Sequence, residues 1–259
     1  MNSTGKALAA QKNIISIYIT ADYPSKGSLL EILEALQASG VGMVEIGIPF
    51  SDPLADGPVI QKSSTQALEN GFSITGLFDD LTKVRSEITI PLTLMGYFNT
   101  VLAFGIESFL SRCQALNIDT VIIPDLTPEI YQLSYVPLFE EYNVSPVFLI
   151  TPMTDPDRIK LVAGLSNAFI YAISGNNITG STSAMSNAQL EYFQRLQEMS
   201  FPVPLLIGFG ISDHASYRQA CTYADGVIIG SAYIKAIEHA TNLNTDTHHF
   251  IQSIQHPTL

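Results

Sequence analysis

Eight short apolar runs, rich in β-branched residues, recur along the chain: 14–20, 43–48, 92–97, 120–125, 145–151, 169–174, 204–210 and 226–231. They are nearly continuous in apolar character rather than alternating, which marks strands covered on both faces, as in a parallel sheet. Between them lie amphipathic stretches such as 29–40, 107–117, 155–166 and 187–199. Several of these open on Ser, Thr or Asp and close near Gly or Asn, the start and stop signals of helices. Strand and helix alternating eight times over this length predict an α/β protein, a (β/α)8 barrel filling residues 1–259 as a single domain. Extra helices are expected at 4–12 and 247–255. An open doubly wound sheet would place a GxGxxG turn after the first strand, where this chain reads TADYPS (20–25).

Composition narrows the class without changing the fold. Of 259 residues, 46% are hydrophobic and 14% charged, so a well-filled core is expected. The formal charge of −12, with no stripe of Lys or Arg, argues against nucleic acid and anionic membranes as partners. The apolar runs are strand-sized and too short for a membrane span. The opening residues carry no apolar run of leader length, which gives the expectation of a cytoplasmic protein. Cys113 and Cys221 show no CxxC or Cys/His spacing, so structural thiols are expected and no metal site. The five histidines, His214, His239, His248, His249 and His256, read as solvated helix faces.

Chemistry concentrates in VEIGIPFSDPLADGPVIQ, residues 44–61. An apolar strand carries Glu45 and breaks at Pro49 into a loop that bears Asp52 and Asp56 among Pro53, Gly57 and Pro58. A carboxylate in a buried strand is costly unless its charge is used or its pKa moves. A second acid in a proline-stiffened loop can be aimed at the same point. In a barrel, such residues lie on the C-terminal face, where the strands end. Read by alternation, Tyr18, Met95, Tyr97, Ile122, Tyr171 and Phe209 are candidate apolar walls there. On the opposite rim, IGFGIS (207–212) and VIIGSAYIK (227–235) end two strands in glycine and enter helices, the first at Ser212. Bare amides at the glycines Gly208, Gly210 and Gly230, and at Ser231, next to helix starts could hold an anion such as phosphate without a basic side chain.

With these pieces in place, the chain resembles the tryptophan synthase alpha chain family along almost its full length. The resemblance rests on the 44–61 segment, MGYFNT (95–100), IPDLTPE (123–129), the Thr179–Gly180 pair in SGNNITG (174–180), IGFGIS and IIGSAYIK. It implies a TIM-barrel lyase that cleaves indole-3-glycerol phosphate into indole and glyceraldehyde 3-phosphate in tryptophan biosynthesis. It implies Glu45 as the acid/base and Asp56 as the acceptor of the indole N–H, with Thr179 and Gly180 in a lid over the substrate. No cofactor is expected in this chain. The expected partner is a tryptophan synthase beta chain carrying pyridoxal phosphate, in an αββα heterotetramer, with Asp52 and Pro53 as contact candidates.

Two departures keep a rival open. The family's lid usually reads Ser-Arg-x-Gly-Val-Thr-Gly, and here Gly175 and Asn177 replace its arginine and inner glycine. A lid without that anchor implies weaker closure, so the alternative is a catalytically weak alpha-like chain that mainly binds and activates its beta partner. Asp22 also stands where the family generally has Gly. A different phosphate-binding barrel enzyme would have to account for the whole 44–61 match.

Overall fold

The apolar runs become strands whose side chains alternate between two separate cores. A computed structural model describes residues 1–53, 56–173, 187–208 and 210–257. The strands are β1 (Ile14–Thr20), β2 (Met43–Gly47), β3 (Leu92–Met95), β4 (Thr120–Ile122), β5 (Ser145–Val147), β6 (Leu149–Ile150), β7 (Ile170–Ile173), β8 (Leu205–Gly208) and β9 (Gly226–Ile229). All pairings are parallel, in the order β5-β4-β3-β2-β1-β9-β8-β7-β6. The run expected as one fifth strand divides at Phe148 into β5, which pairs with β4, and β6, which pairs with β7. Pro146 removes one ladder donor from this segment, and the bend at Phe148 lets one stretch of chain serve both neighbours. The ring is thereby completed as the barrel that the pattern predicts.

The helices around it are α1 (Ser3–Ala9), α2 (Leu29–Ala38), α3 (Pro58–Glu69), α4 (Ile74–Val84), α5 (Phe98–Phe104), α6 (Ile106–Ala115), α7 (Pro128–Ser134), α8 (Val136–Glu141), α9 (Pro156–Leu165), α10 (Asn187–Glu198), α11 (His214–Ala220), α12 (Ser231–Ile237) and α13 (Leu243–Gln255). Their starts follow local chemistry. Pro58, Pro128 and Pro156 occupy first-turn positions, where no amide is needed. Asp155 accepts from the amides of Asp157 and Arg158, and Thr127 from that of Ile130. No helix among the described residues is long and apolar enough to cross a membrane.

Alternation sorts the strand residues. Ile15, Ile17, Ile19, Val44, Ile46, Leu94 and Val121 pack outward against the helices. Ile14, Met43, Ile122, Val147, Phe169, Leu206 and Ile228 fill the barrel interior. In β2, therefore, Met43, Glu45 and Gly47 point inward. Leu8 of α1 joins the interior group and plugs the end where the strands begin.

That plug is held by a carboxylate from across the barrel. Asp119, just before β4, accepts from the amides of Ser3 (2.7 Å) and Thr4 (3.2 Å) and from the Thr4 hydroxyl (2.6 Å). A negative charge at these first-turn amides suits both their free N–H groups and the helix dipole. Replacing Asp119 by Ala should lower the unfolding free energy by about 1–3 kcal/mol. Urea denaturation reads this directly, and an unchanged midpoint would show that α1 is not fastened through Asp119.

Candidate active site

Glu45 lies halfway along β2, fully buried at 0% exposure in the barrel interior. Its neighbours across the sheet are Tyr18 on β1 and Thr93 on β3. The Ser16 hydroxyl donates to Glu45 Oε1 at 2.9 Å, while Oε2 has no hydrogen-bond partner. Burial pushes the carboxyl up to about 8 from an ordinary 4.5, and the Ser16 bond moderates that rise. Glu45 is thus a protonated acid near neutrality, with one oxygen uncommitted.

Asp56 stands just before Gly57, the N-cap of α3, and its amide donates to the Pro53 carbonyl at 3.2 Å. Tyr97, after β3, donates its hydroxyl to Asp56 Oδ2 at 3.3 Å. Partial burial raises the Asp56 pKa, and the Tyr97 bond opposes the rise by favouring the carboxylate. Both acids act electrostatically on the Tyr18 and Tyr171 phenols, so the four groups share one mouth. A cleft opens there, lined by Tyr18, Ile48, Phe50, Asp56, Ser64, Met95, Gly96, Tyr97 and Pro124. Phe50 packs on Tyr97 with ring centroids 5.0 Å apart, which gives the cleft an aromatic wall.

Two tyrosines fill the layer around Glu45, and two glycines make room for them. A Cβ on Gly47 would lie 2.0 Å from the Tyr18 hydroxyl, and one on Gly208 would lie 2.3 Å from the Tyr171 ring. Gly208, one of the two glycines in IGFGIS, therefore serves packing inside the barrel.

The expected residues are distributed as follows. Glu45, Asp56, Tyr18, Met95, Tyr97 and Tyr171 come together at the mouth. Ile122, in register with Met95, is fully buried in the interior cluster and is not among the residues that line the cleft. Gly230 is the N-cap of α12 and Ser231 its first residue; no side chain caps this helix. Gly210 is exposed with φ +84°, a conformation that favours glycine. The helix after it begins at His214, two residues later than Ser212, because Asp213 is its N-cap. Asp213 accepts from the Ser216 amide in a capping box, so α11 already carries an anion at its start and α12 is the open one. Phe209, Thr179 and Gly180, with the lid positions Gly175 and Asn177, lie outside the described residues. Ser16, Phe50 and Ile48 were missed. The available signal for Ser16 was a lone serine inside the apolar run IISIYIT.

Among the described residues, no three His, Cys, Asp or Glu side chains converge to hold a metal ion. The histidine reading needs one amendment: His214 is half-buried, and its Nδ1 lies 2.9 Å from the Ile254 carbonyl, tying α11 to α13.

Comparison with known proteins gives a consistent answer. The family model described as tryptophan synthase alpha chain matches residues 5–257. The chain is 48% identical over 235 residues to the tryptophan synthase alpha chain of Flavobacterium psychrophilum, covering 91% of this chain and 93% of that one. Its fold is similar to the crystal structure of tryptophan synthase subunit alpha from Legionella pneumophila, with TM-score 0.86, 29% identity, and 98% and 97% of the two chains covered. A tryptophan synthase complex from Pyrococcus furiosus contains a chain matched at TM-score 0.85 and 27% identity, covering 94% and 98%.

The buried acid makes stability depend on pH in a defined direction. Its folded pKa, about 8, exceeds the ordinary 4.5, so between those values the folded state keeps a proton that the unfolded chain loses. Stability from this group therefore falls as pH rises through that window. Relative to wild type, Glu45→Gln should gain stability progressively over the same range, reaching several kcal/mol at most, roughly 1.4 kcal/mol per pH unit. Chemical denaturation at successive pH values checks it; a constant difference between the two proteins would contradict the elevated pKa.

Proposed function

The chain belongs to the tryptophan synthase alpha chain family, and on that premise we propose that Glu45 and Asp56 carry its lyase reaction. The reaction is the retro-aldol cleavage of indole-3-glycerol phosphate into indole and glyceraldehyde 3-phosphate. Its single strongest support is the buried Glu45 carboxyl with one oxygen free, next to Tyr18, which lines a cleft together with Asp56.

Breaking the bond between indole C3 and the side-chain carbon requires a proton at C3 and the removal of one from the neighbouring hydroxyl. Protonated Glu45 delivers the first through its free oxygen. Positive charge then develops on the ring nitrogen, where the Asp56 carboxylate accepts the N–H and stabilises it. Glu45, now a carboxylate in surroundings that disfavour its charge, takes the hydroxyl proton as the carbon–carbon bond breaks. A pKa raised by burial thus lets one group serve in both directions. Phe50, Tyr97 and Met95 offer the flat apolar walls that an indole needs. The uncapped start of α12 at Gly230 and Ser231 takes the phosphate.

We assign a tryptophan synthase beta chain as the partner, in an αββα assembly, with pyridoxal phosphate in that chain. The C-terminal face suits it. Asp52 is exposed at the mouth, next to Pro53. Leu102 on α5, Ile130 and Leu133 on α7, and Met153 after β6 are large apolar side chains left exposed on the connections that follow β3, β4 and β6, Leu133 at 81% and Met153 at 92%. Exposed large apolar groups are candidates for a contact surface. The same reading places the protein in the cytoplasm. Nothing among the described residues favours the rival in which catalysis is weak, since Gly175 and Asn177 lie outside them.

Indole release from indole-3-glycerol phosphate, measured with the beta chain present, tests the catalytic assignment. Glu45→Gln should lower kcat by about 10²–10⁴-fold with little change in KM. Asp56→Asn should lower it by about 10²–10³-fold. Turnover near the wild-type rate in Glu45→Gln removes Glu45 from the chemistry. For the partner face, Leu133→Asp should weaken activation of the beta chain while unfolding stays unchanged. Undiminished activation would direct the docking elsewhere.

A further inference from the structure

We propose that Ser16 is the positioning residue of the acid–base group, fixing which oxygen of Glu45 faces the substrate. The inference rests on the assignment of Glu45 as proton carrier. Ser16 is fully buried on β1, in a strand otherwise almost wholly apolar, and its hydroxyl donates to Glu45 Oε1 at 2.9 Å. A buried hydroxyl is retained at a cost unless it has a partner. The torsion that exchanges the two carboxyl oxygens is soft and nearly two-fold, so an untied carboxyl would interchange them. With Oε1 tied to β1, Oε2 alone is left without a partner, and it is the atom that exchanges the proton.

Among the described residues, no other side chain donates to the Glu45 carboxyl. Thr93, opposite Glu45 on β3, directs its hydroxyl to the Met43 sulfur at 3.5 Å. The groups that face Glu45 from the surrounding elements are the phenols of Tyr18 on β1 and Tyr171 on β7, with Asp56 at the rim. Both phenols are raised above their ordinary range by burial and so stay neutral through the pH range of interest. β8 and β9 contribute Leu206 and Ile228, which are apolar. The Ser16 bond favours the charged form of Glu45, so its loss leaves the proton held more tightly.

Two readouts separate positioning from mere packing: the pH dependence of kcat/KM for indole formation, and the carboxylic acid carbonyl band of Glu45 in infrared difference spectra against Glu45→Gln. Activity needs Glu45 protonated at the start, so it declines as pH rises through the Glu45 pKa. In Ser16→Ala, the infrared titration and the alkaline limb should both move up by about one pH unit. kcat should fall severalfold with KM nearly unchanged. Ser16→Thr, which keeps the hydroxyl, should restore both positions. Ser16→Cys, nearly isosteric and a weak donor, should move them in the same direction and serves if the alanine variant does not fold. A band that titrates at the wild-type pH in Ser16→Ala overturns the proposal alone. A band that moves while the rate limb stays put overturns Glu45 as the proton carrier, and the proposal with it.

Discussion

A carboxyl group buried inside an apolar barrel is the constraint on which the rest of this structure depends. Glu45 is fully buried, so its charged form loses solvation that only a few neighbours can replace, and burial pushes its pKa up to about 8. Every feature of the layer around it is consistent with that state. The walls are two phenols that do not ionise in the neutral range, the next layer down is Met43, Leu206, Ile228 and Phe169, and one serine supplies a single hydrogen bond. A basic side chain nearby would have turned Glu45 into a permanent carboxylate and removed its ability to act as an acid. The low-dielectric interior is what makes a weak acid useful in both directions.

Shape follows from the same requirement. The barrel interior must be dry at the level of Glu45 yet open just above it. Tyr18 and Tyr171 achieve the first by crossing over Gly47 and Gly208, positions where any side chain would collide. The second comes from the chain leaving β2 at Pro49 and returning to α3 at Pro58, so that Asp56 is held above the cleft by its bond from Tyr97. Burial is graded across the site. Glu45 is enclosed and neutral, while Asp56 at the rim keeps a partner that favours its charge. That difference suits the division of labour proposed above, with Glu45 as proton carrier and Asp56 as electrostatic acceptor.

Much of this was legible in the residues, for identifiable reasons. Parallel strands covered on both faces leave continuous apolar runs, so β1 to β4 and β7 to β9 stood out by composition alone. β5 and β6 did not separate, because a bend at Phe148 leaves no mark in a pattern that stays apolar on either side. Glu45 announced itself by breaking an apolar run. Ser16 broke another run equally, but a small hydroxyl in a strand is common, and only its partner gives it meaning. The helix after β8 starts two residues beyond Ser212, because Asp213 is its N-cap. Its capping box, and with it the contrast between a closed α11 and an open α12, emerges only when the Ser216 side chain is seen. Gly208, a bare amide in the local pattern, is also space for Tyr171, a relation between two strands that no local pattern carries.

The central claim is that two acids at different depths converge on one indole ring from a dry interior and from the rim. A crystal structure of the protein with an uncleavable indole alkyl phosphate tests it most directly. The account predicts Glu45 Oε2 within contact of indole C3 and the adjacent carbon, Asp56 accepting the ring N–H, and the phosphate on the amides of Gly230 and Ser231. An indole seated away from Glu45, or with its nitrogen turned from Asp56, would contradict it.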